Sequence, residues 1–179
     1  PDGFFGNCDP KNLKNLRSRC SALIKSKDIN VLIDTSPDLR TQMLKNKIKS
    51  LDTVMYTHHH ADQTHGINDL RVFFLKRKKE IPVYTDKNTK KYLLGSFSYC
   101  FEGSKEYPPL LRLFDIKKKF KIGKFINIET VKVRHGSINS VSYIINKKIA
   151  YLPDANEIYK NDYKKFFKLD YLVVDCLRY

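Results

Sequence analysis

The chain has 179 residues, 41% of them hydrophobic and 12% aromatic, with 34 Lys+Arg against 19 Asp+Glu and a net charge of +15. That length fits one domain with a buried core, and the composition excludes a disordered or fibrous chain. No apolar run approaches the roughly 18 residues needed to span a bilayer, so a membrane-spanning protein is excluded as an expectation. The positive charge admits anionic partners such as nucleotides, RNA or phosphorylated metabolites. Lysine is spread along the whole chain, however, and the runs KRKK (76–79) and KKKFK (117–121) read as solvated turns and strand ends. The N-terminus shows no basic-then-apolar leader. The cysteines at 8, 20, 100 and 176 form no Cys-x-x-Cys pair, so reduced thiols in a cytoplasmic protein are expected. Packing is the default role for each, with pairing or metal binding by Cys8 and Cys20 as the alternative.

In chain order, residues 20–25 (CSALIK) and 29–34 (INVLID) read as a β-hairpin across SKD. Ser36 then suits a helix cap and Pro37 the first helical position, with the helix continuing through MLKNKI. Residues 51–57 (LDTVMYT) form an apolar strand, 67–75 a helix, 81–86 a strand and 87–97 a helix. Residues 95–114, rich in aromatics with Gly and two prolines, read as an irregular insertion or lid. Strands follow at 125–133, 140–146 and 148–152, the last two joined by a turn at NKK. A helix over 157–168 and a buried strand over 169–177 complete an α/β order in which sheets are layered with helices.

Four of the five histidines fall in THHHADQTHG (57–66). His58 and His60 alternate, and in an extended loop residues i and i+2 point the same way, so both can reach one ion. Asp62 continues the alternation. Imidazole with carboxylate suits zinc, manganese or iron(II). The remaining histidine, His135, and Asp154 in YLPDAN each follow a predicted strand, so three strand ends carry ligand-type residues and point to one edge of a sheet.

Together these segments resemble the metallo-β-lactamase fold superfamily, and within it the phosphodiesterase-like members, including the cyclic phosphodiesterase of the carbon–phosphorus lyase pathway. The resemblance runs from NCDPKNLKNLRSRCS (7–21) through DTSPDLR (34–40), HHHADQTHGINDLR (58–71) and HGSINS (135–140) to YLPDAN (151–156) and VVDCLR (173–178). It implies a single metallo-hydrolase domain over 1–179, an αββα sandwich incomplete at both termini, with one or two divalent ions, Zn or Mn, at one edge between two sheets. His58, His60 and His135 would hold the first metal, Asp154 would bridge both, and Asp62 would hold the second and orient the nucleophile. Asp34 would orient a ligand histidine.

The chain departs from the usual His-x-His-x-Asp-His motif at its last position, which is Gln63. An amide oxygen is a weaker ligand than imidazole, so the second metal is expected to be loosely held. His65 is a possible substitute ligand, with substrate contact or support of a ligand as the other role. The family's final histidine, expected after LVVDCLR, and its opening glycine-rich strand have no counterpart in the sequence. Arg71 and Arg134 could offset phosphate charge, Ser137 could donate to a phosphate, and Tyr99, Phe101 and Tyr107 could stack a base. For each of these, an ordinary surface or packing role is the alternative. The reading is a metal-dependent phosphodiesterase acting on a small cyclic or nucleotide-like phosphodiester. The alternatives are a transfer-RNA 3′-end endonuclease of the same superfamily, which the charge favours, and a catalytically silent metal- or nucleotide-binding protein, which Gln63 motivates. A homodimer is admitted by the resemblance.

Overall fold

The computed structural model describes residues 5–175. Two sheets lie face to face. The first runs β1(Ala22–Lys25), β2(Asn30–Ile33), β3(Thr53–Met55), β4(Ile81–Thr85) and β5(Leu111–Asp115) in spatial order. The β1–β2 hairpin is antiparallel and every later pair is parallel. The second sheet builds on the long antiparallel pair β7(Ile126–His135) and β8(Ile138–Ile145). It is extended by β9(Ile149–Leu152), by the parallel edge strand β11(Tyr171–Val174), and by β6(Lys119–Ile122) and β10(Glu157–Ile158), which both pair with β7.

Alternation along the strands separates three cores. Leu32, Val54, Val83 and Leu111 face Leu39 and Met43 of helix α1(Leu39–Lys45) together with Leu70, Phe73 and Leu93. Phe73 belongs to α3(Arg71–Arg77) and Leu93 to α4(Lys87–Phe101). Val31, Ile33 and Met55 face inward against Ile128, Val141, Tyr143 and Ile145 of the second sheet. Val131, Val133, Ile144 and Leu152 form the outer face of that sheet, covered by Ile158, Phe166 and Leu169. The expected αββα layering is therefore present, with a 3-10 segment, Lys160–Phe166, where a helix was expected on the outer face. Among the described residues no helix is long and apolar enough to cross a membrane.

Several expectations need correction. The helix after TSPD starts at Leu39, not at Pro37; the Ser36 hydroxyl accepts from the Asp38 N–H at 3.2 Å and so braces the preceding turn. The stretch 95–114 is mostly regular. Helix α4 continues to Phe101 through a kink at Phe97, and β5 begins at Leu111, leaving 102–110 irregular. KKKFK contributes to strand β6, whose side chains alternate in burial up to the buried Ile122. The helix expected over 157–168 is the short β10 followed by the 3-10 turns, its polar side chains offering no continuous apolar face. The strand expected over 169–177 is present as β11 over Tyr171–Val174, exposed along that length; among the described residues it lies at a sheet edge and pairs only with β9. Residues 1–4 and 176–179, including Cys176, lie outside the described residues.

Candidate metal centre

The functional residues gather where strands end. Asp34 follows β2, His58 follows β3, His135 is the last residue of β7 and Asp154 lies two residues beyond β9. Asp62 and Gln63 sit on the short helix α2(Ala61–Thr64), for which His60 is the N-terminal boundary. The segment is held from below. The Thr35 N–H donates to the Gln63 carbonyl at 2.8 Å, and the Gly66 N–H to the Thr35 carbonyl at 2.9 Å. Gly66 approaches the neighbouring turn so closely that a Cβ there would lie 2.0 Å from the Ser36 carbonyl oxygen.

Three imidazoles converge. Ring centroids of His58, His60 and His135 are 4.6, 4.8 and 5.0 Å apart in pairs. His60 Nδ1 lies 3.1 Å from His135 Nε2. That separation is close to the edge of about 3.3 Å expected between two nitrogens each about 2.0 Å from a tetrahedral ion. His58 Nε2 is buried with no hydrogen-bond partner, and the nearest carboxylate oxygen, Asp154 Oδ2, is 4.0 Å away. An unpartnered buried nitrogen is costly unless something else satisfies it, and a cation between the three rings would do so. Burial first, then the neighbouring imidazoles, holds His58 down at about 3, so it stays neutral with a lone pair to offer.

The orientation of His58 is set by a relay. The buried Asp34 has φ of +62°, a left-handed backbone that turns its carboxylate back toward β3. It accepts from the Thr57 N–H and the Thr57 hydroxyl, each at 2.8 Å. Thr57 Oγ1 is 3.1 Å from His58 Nδ1. With its one hydrogen given to Asp34, the Thr57 hydroxyl accepts from His58 Nδ1–H, which leaves Nε2 bare toward the cluster. Burial raises the Asp34 carboxyl well above its usual range, opposed by the two Thr57 hydrogen bonds. Asp34 was expected to orient a histidine; the structure brings it to His58 only through Thr57, which the sequence reading missed.

A second cluster adjoins the first. Potential ligand atoms of Cys20, Asp62 and Asp154 lie within 4.8 Å of one another. The fully buried Gln63 sits among them: its Nε2 is 2.9 Å from Asp62 Oδ2, 3.0 Å from Asp154 Oδ2 and 3.1 Å from Cys20 Sγ. Burial, then the Asp62 charge, pushes Asp154 up to about 6, and burial pushes the Cys20 thiol up to about 11. Cys8 and Cys20 are both free thiols, so the alternative of their pairing does not hold. The sequence reading admitted Cys20 as a metal ligand only together with Cys8; the structure groups it instead with Asp62 and Asp154.

Other expected residues stand apart. His65 is exposed, with Nε2 3.1 Å from the Tyr92 hydroxyl and its ring 5.6 Å from Phe97. His59 turns toward the same Tyr92, at 5.4 Å. The Arg71 guanidinium lies 5.2 Å from the Tyr107 ring and lines a cavity of about 320 Å³ with Asn68, Tyr99 and Leu110. The Tyr99 hydroxyl donates to Asn68 Oδ1, and Phe101 packs on the helix-side core. Arg134 pairs with Glu157 at 3.5 Å, and Ser137 is exposed in the turn between β7 and β8.

A family model described as "Beta-lactamase superfamily domain" matches residues 29–179. A diphosphatase of the PhnP family has a crystal structure that superposes with a TM-score of 0.82 at 27% identity, covering 93% of this chain and 65% of that one. Zn(2+)-bound PqqB from Methylobacterium extorquens gives a TM-score of 0.71 at 14% identity, with 89% of this chain and 60% of that one covered. The short form of human tRNase Z gives 0.65 at 16% identity, with coverages of 87% and 70%. A curated octanoyltransferase from Porphyromonas gingivalis is 32% identical over 96% of this chain, which spans only 35% of that protein. The chain belongs to the beta-lactamase superfamily and carries its metallo-β-lactamase fold.

Proposed function

We propose that this chain supplies the metal-dependent hydrolytic centre of a phosphodiesterase acting on a small cyclic or nucleotide-like phosphodiester. The observation that carries the proposal is the convergence of His58, His60 and His135 beside Asp154 and Asp62, with the His58 Nε2 lone pair buried and unpartnered. Similarity to the PhnP-family diphosphatase over 93% of the chain supports a phosphoryl substrate. Acyl transfer is not carried over from the octanoyltransferase, since this chain matches 35% of that protein.

The three imidazoles would hold the ion, with Asp154 completing the set. When bound, a divalent cation supplies Lewis acidity toward a phosphoryl oxygen and brings water to a pKa of about 7. Asp62, half-buried on α2, would accept a hydrogen bond from the attacking water. Thr57 and Asp34 keep His58 in the tautomer that binds. Substrate contact by Arg71, His65 or Ser137 is part of this reading, although His65 and Arg71 rest against Tyr92 and Tyr107.

The test is hydrolysis of bis-(p-nitrophenyl) phosphate by the purified chain with added Mn²⁺ or Zn²⁺. Turnover that is lost in His60→Ala is expected. Metal binding without turnover of this ester or of any nucleotide diester would favour the silent binding protein instead. The net charge of +15 favours a second reading, cleavage at transfer-RNA 3′ ends. Processing of a 3′-extended transfer RNA in preference to the small ester would establish that reading.

A further inference from the structure

We propose that the cavity between Arg71 and the 102–110 segment is a purine subsite that prefers guanine, holding the base of a diester whose phosphate lies at the histidines. The proposal rests on the phosphodiesterase reading for its substrate and narrows that substrate to a guanine nucleotide.

The cavity has a volume of about 320 Å³ and is lined by Asn68, Arg71, Tyr99, Tyr107, Pro108 and Leu110. Apolar walls with a few polar groups are the usual make-up of a small-ligand site, and the volume falls at the lower end of the range of about 300–1,000 Å³ for such sites. The wall formed by 102–110 is tied down. Gly103 has φ of +68°, and a Cβ there would lie 2.7 Å from the Tyr107 carbonyl oxygen. That carbonyl accepts from the Ser104 N–H at 2.6 Å, and the Tyr107 N–H donates to Ser104 Oγ at 3.1 Å. The Leu110 N–H donates to the Cys100 carbonyl at 2.9 Å, which fastens the segment to the end of α4. The Tyr107 ring is thereby held against the Arg71 guanidinium, at 5.2 Å. Tyr99 and Tyr107 are 54% and 56% exposed, so planar faces stand open for a base to stack on.

The polar groups choose the base. The Tyr99 hydroxyl donates to Asn68 Oδ1. The Asn68 carboxamide therefore offers the cavity only its NH₂ hydrogens. A guanidinium is donor-only as well, and among the described residues that of Arg71 has no ion pair or hydrogen bond, only its contact with the Tyr107 ring. Two sets of donors thus lack acceptors. Guanine presents two acceptors, O6 and N7, on one edge, whereas adenine places its N6 amino donor there. A bare phosphate would also accept, yet would gain nothing from the aromatic faces.

The chain ties the cavity to the metal centre. The metal-ligand segment runs through His65 and Gly66 directly into the 3-10 turn Ile67–Leu70, which carries Asn68. The His65 ring lies 5.6 Å from Phe97, two residues before Tyr99 on α4.

Calorimetric titration of the purified chain with guanosine 5′-monophosphate, adenosine 5′-monophosphate and ribose 5-phosphate, in the presence of a chelator, tests this without using the metal. Guanosine 5′-monophosphate is expected to bind about tenfold more tightly than either of the others. Tyr107→Ala should weaken it about tenfold through lost stacking. Asn68→Asp, which replaces donors by acceptors, should remove the preference over adenosine 5′-monophosphate. Equal binding of guanosine 5′-monophosphate and ribose 5-phosphate overturns the proposal, since Arg71 would then be holding phosphate alone. Equal binding of the two purine nucleotides, or a guanine preference that survives both substitutions, overturns it too. A guanine preference that both substitutions remove, in a chain that binds metal without turning over any diester, leaves the subsite standing and removes the hydrolase reading.

Discussion

A threonine hydroxyl has one hydrogen to give, and at Thr57 that single hydrogen decides which nitrogen of His58 faces the metal cluster. Thr57→Val keeps the shape and removes the relay. Asp34 then loses one of its two donors while buried, and His58 loses the acceptor that fixes its tautomer. Partners of this kind are worth about 10–100-fold in metal affinity, so a loss of that order is expected in competition with a chelator. Acidity acts on the same titration through Asp154. Its carboxyl, pushed up to about 6, holds a proton below that pH that an ion must displace. Binding should therefore weaken as pH falls through about 6, about tenfold per unit for each proton displaced, and Asp154→Asn should flatten this dependence while weakening binding at neutral pH. The histidines were legible in the sequence because ligands on one loop must be near neighbours there. Thr57 was not, because a hydroxyl relay leaves no spacing pattern behind, and Cys20 was legible only as an alternative ligand beside Cys8, not as a neighbour of Asp62 and Asp154.

At the scale of elements, the site depends on two turns pressed together. The DTS turn after β2 and the HADQTHG segment after β3 exchange backbone hydrogen bonds at Thr35, Gln63 and Gly66. Gly66 carries no sign in the sequence of its role, which is absence of volume, with the Ser36 carbonyl where a Cβ would stand. Gly66→Ala must separate the turns, and overpacking of this kind costs about 1–3 kcal/mol. A lowered Tm is expected together with weaker metal binding, because α2 carries Asp62 and Gln63 away from Asp154. Retention of full metal affinity despite the lowered Tm would show that the turns are not coupled to the site. Elsewhere, the strand–helix alternation was readable where apolar period and turn residues agreed, as in β1–β2 and β7–β9. It failed at β6, where lysines flank the few inward residues, and at 157–168, where short-range turns of a 3-10 segment mimic helical composition.

For the molecule as a whole, apolar content did not reveal position in the sheet. LDYLVV reads as a buried strand, yet β11 is an edge strand with Tyr171 67% and Val174 51% exposed. Net charge is a whole-molecule property of another kind, and it separates the two substrate readings. A cation-rich surface binds RNA by releasing counterions, and a protein contacting about six phosphates loses about 10³-fold in affinity between about 50 and 200 mM salt. A small diester offers the site one phosphate and should lose far less over the same range. Measured side by side, transfer-RNA binding with a steep logarithmic slope and diester turnover with a shallow one are expected. If the steep slope belongs to binding alone and no transfer RNA is cut, the +15 charge acts as general attraction to polyanions and carries no information about the substrate. If RNA binding is as insensitive to salt as the small diester, the lysines are not gathered into a nucleic-acid surface, and the transfer-RNA reading loses the observation on which it rests.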